Sequence, residues 1–138
     1  MSAALKMLTD MERIGDQAAD IAEIILAAGN ALPMEFRPKL REMSLTVTSM
    51  LKQAVDAYVS MDSKIADHVI CMDDEVDGLF EKMKNTLIDE IRAQPQLGRF
   101  ALDSLMISKY FERIGDHAVN IAEWVHYAIF GEHIQSEN

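Results

Sequence analysis

Tyr110–Ala128 reads YFERIGDHAVNIAEWVHYA, and most of the phrase has already appeared one hundred positions earlier. Glu12–Ala28 is ERIGDQAADIAEIILAA, against ERIGDHAVNIAEWVHYA for Glu112–Ala128, with ten of seventeen positions identical. A helix that merely fills a core needs apolar character at its inward positions, not identity at its outward ones. Here Glu12 and Glu112, Asp16 and Asp116, and Glu23 and Glu123 all stay in register. The chain therefore carries an internal repeat, and the repeated feature is an acidic face.

Working outward, the rest of the chain reads as helix. The first helix is expected over Ala3–Ala28, with Ile14, Ala18, Ile21 and Ile25 on one side and Glu12, Asp16, Asp20 and Glu23 on the other. Gly29-Asn30 supplies a left-handed end and Pro33 prevents continuation. A second helix opens at Arg37-Pro38 and ends near Val59, with a seam through Leu40, Val47, Leu51, Ala54 and Tyr58. Only Ser60–Asp62 precedes a third helix, so the two are antiparallel neighbours, with Asp62 or Ser63 as the cap. That third helix is predicted as one rod over Ser63–Ala93, and a fourth over Arg99–Phe130, stopped by Gly131. Glu132–Asn138 is expected to fray. The fold class is all-α, four helices, each antiparallel to its chain neighbour.

Composition narrows the partners. A net charge of −10 argues against nucleic acid, which is held by clustered Lys and Arg. The single Cys71 excludes an internal disulfide and fits a reducing compartment. No run of 18 apolar residues is present to span a bilayer, and the N-terminus lacks a signal-peptide pattern. The ten methionines read as core filler.

Two spacings carry chemistry. Glu112, Asp116 and Asn120 stand at i, i+4 and i+8 along one helix edge. Asp73 and Asp77 repeat the i, i+4 step inside MDDEVDG, with Asp73 about 60° from the centre of its helix's apolar seam. If the third and fourth helices lie side by side, two carboxylate pairs face one groove. Such a cluster repels itself unless a cation is bound or some groups hold protons. Oxygen donors select hard ions: Mg²⁺, Ca²⁺, Mn²⁺ or ferric iron, with zinc also accepted. The plain alternative is a solvated acidic face; repetition of the spacing and the matching pair on the third helix favour metal. Glu123-Trp-Val-His126 fits the Glu-x-x-His of di-iron bundles, but those sites need two such motifs and no second occurs. Gly15 and Gly115 in mid-helix point to a close helix approach, to room for a ligand, or to a lax surface position. No Gly-x-Ser-x-Gly, Walker or Cys-x-x-Cys pattern supports enzyme chemistry.

The phrase Glu112–Glu123, ERIGDHAVNIAE, resembles the signature of the PhoU family of bacterial phosphate-uptake regulators, and MDDEVD at Met72–Asp77 resembles that family's second acidic motif. The likeness implies three-helix repeats, two to a six-helix protein, whose paired Glu/Asp-x-x-x-Asp motifs hold a multinuclear metal cluster, iron in some members. Carried over by position, Asp73 and Asp77 share a site with Glu112, Asp116 and the neighbouring Asn120, while Glu12, Asp16 and Asp20 supply half of a second. Iron is the metal the likeness implies; zinc, manganese and magnesium are the alternatives. Residues 1–30 then correspond to the last helix of a first repeat, residues 36–131 to a complete second repeat, and residues 132–138 to a tail. The implied protein is a cytoplasmic, non-enzymatic negative regulator at the inner face of the membrane. It would restrain the phosphate ABC transporter and the sensor histidine kinase for phosphate-responsive genes. Without a bundle of its own, the stripe Ile14, Ala18, Ile21, Ile25 is expected to be covered by the second repeat or by a partner chain in a two-fold homodimer. A ferritin-like oxidase or storage bundle and a metal-free helical adaptor are the competing readings.

Overall fold

The structure, a computed structural model, describes residues 2–131; the predicted frayed tail lies outside the described residues. Its helices are α1 (Ala3–Ala28), α2 (Arg37–Ser60), α3 (Ser63–Cys71), α4 (Asp73–Ala93) and α5 (Gly98–Phe130). No strand occurs among the described residues. The predicted ends hold to within about a residue, which is the accuracy helix ends allow.

The caps explain the boundaries. The Ser2 hydroxyl accepts from Leu5 N–H at the start of α1, and Gly29 ends the helix at φ 57°, ψ −136°. Positive φ at Gly29 is as expected, but its ψ lies outside the left-handed helical region, and the chain continues as a short 3₁₀ turn over Gly29–Ala31. Arg37 then pins the connection: its guanidinium donates to the Leu32 carbonyl at 2.9 and 3.2 Å and to that of Asn30 at 3.4 Å. Met61 closes α2 at φ 50°, while Asp62 N–H reaches back to the Ala57 carbonyl at 3.0 Å. The Asp62 carboxylate accepts from Lys64 and Ile65 N–H and opens α3.

The predicted third helix occupies its expected span as α3 and α4, with one irregular step between them. At Met72, which keeps helical angles (φ −69°, ψ −14°), three-residue bonds from Met72 N–H to the Val69 carbonyl and from Glu75 N–H to that of Met72 are added to the four-residue bonds from Met72 N–H to His68 and from Val76 N–H to Met72. Gln53 of α2 braces the joint. Its amide donates to Met72 Sδ at 3.7 Å, and its carbonyl accepts from His68 Nδ1–H at 2.7 Å.

Helices α2, α3/α4 and α5 form a three-helix bundle around fully buried Met43, Met50, Val69, Val76, Met83, Ile107 and Val125. Helix α1 is the additional element, antiparallel to α5, with Asp10 beside His117 and Asn120, and Lys6 over the Trp124 ring. The inward face of α1 differs in part from the one predicted. Ile14 and Ile21 are buried, but their companions are Met7, Asp10, Gln17, Ile24 and Ala28, at alternating steps of three and four. Ala18 and Ile25 belong to a second stripe about 100° round the helix: Ala4, Leu8, Met11, Gly15, Ala18, Ala22 and Ile25, all exposed.

The two mid-helix glycines separate here. Gly15 has open space where a Cβ would stand, whereas Gly115 is buried where α5 meets α2 and α4. A Cβ on Gly115 would sit 3.6 Å from Val47 and Val76 methyls, an ordinary contact. Gly115→Ala is therefore expected to stabilise the protein by about 0.5–1 kcal/mol through backbone entropy. A urea titration with unchanged slope checks it, and destabilisation would show that Val47 and Val76 leave no room for the added methyl.

Candidate metal centre

Helix α4 starts immediately after the Met72 joint, so Asp73, Asp74 and Glu75 occupy its first turn. Buried Val76 and Gly115 hold α4 against α5, and this contact brings Asp73 and Asp77 beside Glu112 and Asp116.

The electrostatics register the crowding. Asp116 is pushed from 3.8 up to about 6, first by partial burial and then by the charges of Asp73, Glu112 and Asp77, with only Lys109 opposing. Asp77 moves the same way, through desolvation and then Asp73, Glu112 and Asp74. Glu123 is raised by burial, then by Asp73 and Asp10. Lys109 is the internal counter-ion: its Nζ donates to Glu112 Oε1 at 2.6 Å and lies 5.4 Å from the Phe80 ring centre. Three residues from Glu112 on one helix, it was visible in the sequence as an i, i+3 partner. Glu123, also missed as a member, falls on the same helix edge seven residues after Asp116.

Four of the eight predicted ligands thus come together: Asp73, Asp77, Glu112 and Asp116. Asn120 stands apart. Its amide donates to Asp10 Oδ1 at 3.2 Å, beside the bond from His117 Nδ1–H to the same oxygen at 2.9 Å. Asp10 is 8% exposed, so these two donors are what make its burial tolerable. Glu12 and Asp16 are exposed and Asp20 is half-buried, all on α1 and none among the charges that shift Asp77, Asp116 or Glu123. His126 Nε2 lies 3.8 Å from Asp67 Oδ1, so the Glu-x-x-His pair meets an aspartate of α3.

Among the described residues, no three carboxylate, imidazole or thiol groups already converge as a metal cage. The donor set nevertheless suits a hard cation: oxygen ligands, excess negative charge, partial exposure, and, among the described residues, the Lys109 ammonium as the opposing charge.

Comparison with known proteins identifies the fold and the family. The family model for the PhoU domain matches residues 40–125, which spans α2 to α5 up to Val125. A phosphate-specific transport system accessory protein PhoU homolog from Clostridium acetobutylicum is 33% identical over 94% of this chain and 59% of its own length. One from Caulobacter vibrioides is 35% identical over 98% of this chain and 59% of its own. The crystal structure of PhoU from Pseudomonas aeruginosa superposes with a TM-score of 0.88 at 30% identity, covering 94% of this chain and 62% of that one. The chain thus spans about three-fifths of the relatives it matches. With the family model covering more than half the chain and the acidic pairs of α4 and α5 set side by side, this chain belongs to the PhoU family.

Proposed function

We propose that this chain is an accessory regulator of phosphate transport that works as a homodimer by protein contact, without catalysis. In this reading it acts in the cytoplasm at the inner membrane face, and restrains a phosphate ABC transporter and the sensor kinase of phosphate-responsive genes. The observation that carries it is the α4–α5 carboxylate cluster in a chain whose relatives are named accessory proteins of a phosphate-specific transport system. No helix among the described residues is long and apolar enough to cross a membrane, so contact with a transporter would be peripheral.

Asp73, Asp77, Glu112 and Asp116 would hold the metal, with iron, manganese, zinc or magnesium as candidates. A bound ion would supply charge neutralisation and a rigid α4–α5 surface, which is a structural part in signalling and not a reaction. One observation favours a second reading. Lys109 already neutralises part of the cluster, as it would in a metal-free adaptor whose acidic face meets a basic partner.

The test is complementation. In a phosphate-replete bacterium lacking its own accessory protein, the chain should restore repression of a phosphate-responsive promoter. The variant Asp73→Asn, Asp77→Asn, Glu112→Gln, Asp116→Asn should not, while keeping its helical circular dichroism. A folded parent chain present in the cell without any repression sinks the proposal.

A further inference from the structure

The Lys109 ammonium stands between two unlike groups. Its Nζ donates to Glu112 Oε1 at 2.6 Å and lies 5.4 Å from the centre of the Phe80 ring. Lys84 shares that ring at 5.2 Å, but its own carboxylate is Glu81, at 2.8 Å. Both ion pairs are three-residue steps along a helix, and they differ in where the acid sits. The Glu81 side chain is 65% exposed and that of Glu112 only 15%. A pair such as Lys84 with Glu81 is held in solvent and contributes little. The Glu112 carboxylate is largely withdrawn from water and belongs to the cluster with Asp73, Asp77 and Asp116. Lys109, and not Lys84, is the cation whose charge offsets those acids at Asp77 and Asp116.

An ammonium and a hard cation compete for such an oxygen, since both are bound by the same concentrated negative charge. An ion held through either oxygen of Glu112 would face the ammonium across a single carboxylate, where like charges repel. Phe80 favours retention of the ammonium beside the cluster. The ring packs against the core three residues after Asp77, and its face attracts a cation. The chain thus carries a cation of its own where the proposed ion would bind.

We propose that Lys109 is the built-in competitor for metal at this cluster, occupying Glu112 when no ion is bound and lowering the affinity for any ion that displaces it. The proposal rests on the metal reading above and adds the residue that sets how much free ion is needed to fill the site. A lysine that instead orients Glu112 for the ion would act with the opposite sign.

Calorimetric titration of the chelator-stripped chain with Mn²⁺ tests it on the parent, Lys109→Met and Lys84→Met. Methionine keeps much of the stem of a partly exposed lysine and removes its charge, so both variants should retain the parent's helical circular dichroism. Lys109→Gln repeats the measurement if the methionine variant does not. Lys109→Met should bind Mn²⁺ on the order of tenfold more tightly than the parent. Lys84→Met, which removes an equal charge from the same ring, should stay within about twofold. Binding that becomes measurable only in Lys109→Met supports the inference as well. Equal tightening in both variants assigns the effect to the general field of the lysines and overturns contact at Glu112 as its cause. Unchanged or weaker binding in Lys109→Met also overturns the inference, while binding by the parent leaves the metal reading in place. No binding by any of the three chains overturns the metal reading together with this one.

Discussion

Asp116→Asn should stabilise the protein when metal is stripped away at pH 7.5 and destabilise it when metal is restored. The Asp116 carboxyl, ordinarily at 3.8, is pushed up to about 6 by partial burial and the neighbouring charges of Asp73, Glu112 and Asp77. Above pH 6 the group is ionised in both folded and unfolded chains, so the cost of holding the charge is fully present. Between about 6 and 3.8 the folded chain takes up its proton first, and stability rises as pH falls through that window. Asp77 and Glu123 shift in the same direction and add to the slope. The amide removes the Asp116 contribution, about 1 kcal/mol after allowing for solvent screening at a partly exposed group. Its advantage over the parent should therefore shrink as pH approaches 4.

On the proposed metal assignment, added ion inverts the ranking. Free ion at one hundred times the dissociation constant adds about 2.7 kcal/mol to a protein that binds it only when folded. The amide, having lost a charged ligand, should forfeit most of that gain. Thermal unfolding of chelator-treated protein, with and without Mn²⁺ or Fe³⁺, reads both signs. If no ion moves the midpoint of the parent chain, the cluster is a solvated face served by Lys109 and the metal assignment is withdrawn.

Phe36→Ala should cost about 3–5 kcal/mol, a large part of the 5–15 kcal/mol that holds a domain of this size together. Phe36 is 0% exposed and lies in the 3₁₀ turn Met34–Phe36 that leads into α2. Its N–H is held by the Pro33 carbonyl at 3.2 Å, and the next residue, Arg37, pins the connection from α1. The backbone is fixed on both sides, so it has little freedom to collapse into the space the ring vacates. That places the cost toward the upper end of the range for aromatic truncation. Urea unfolding followed by circular dichroism measures it, and a loss under about 1 kcal/mol would mean that the turn repacks freely.

The helices were legible because their punctuation is local. Gly29, Pro33, Pro38, Asp62 and Pro95 act on their own backbone and need no tertiary context. The Met72 joint was not legible, since Ile70-Cys71-Met72 continues the apolar pattern and the brace, Gln53, comes from another helix. The inward face of α1 was ambiguous for a different reason. The helix carries two apolar stripes of equal regularity, and periodicity cannot say which one meets α5. The stripe that wins includes Asp10 and Gln17, polar residues that sequence reasoning assigns to solvent. Asp10 is accepted inside because His117 and Asn120, more than one hundred residues away, donate to it. Spacing put the four acids of α4 and α5 on two helix edges, and the family resemblance, not spacing, paired the edges. That Asn120 would turn to α1 was not, because its partner lies on a helix outside the bundle.

The way α1 is attached has a consequence for local opening. It lies along α5 and makes no extended contact with the other helices. Lifting it therefore exposes one seam, with Met7, Ile14 and Ile21 as its buried apolar side chains, and leaves the three-helix bundle intact. Its detachment is expected to cost less than global unfolding, so α1 is expected to open as a cooperative unit of its own. Whatever covers the outer stripe adds its binding free energy to that unit alone. The amide protons of α1 thus act as a gauge of occupancy: their exchange slows as the stripe is covered, while those of α2 to α5 keep their own pace.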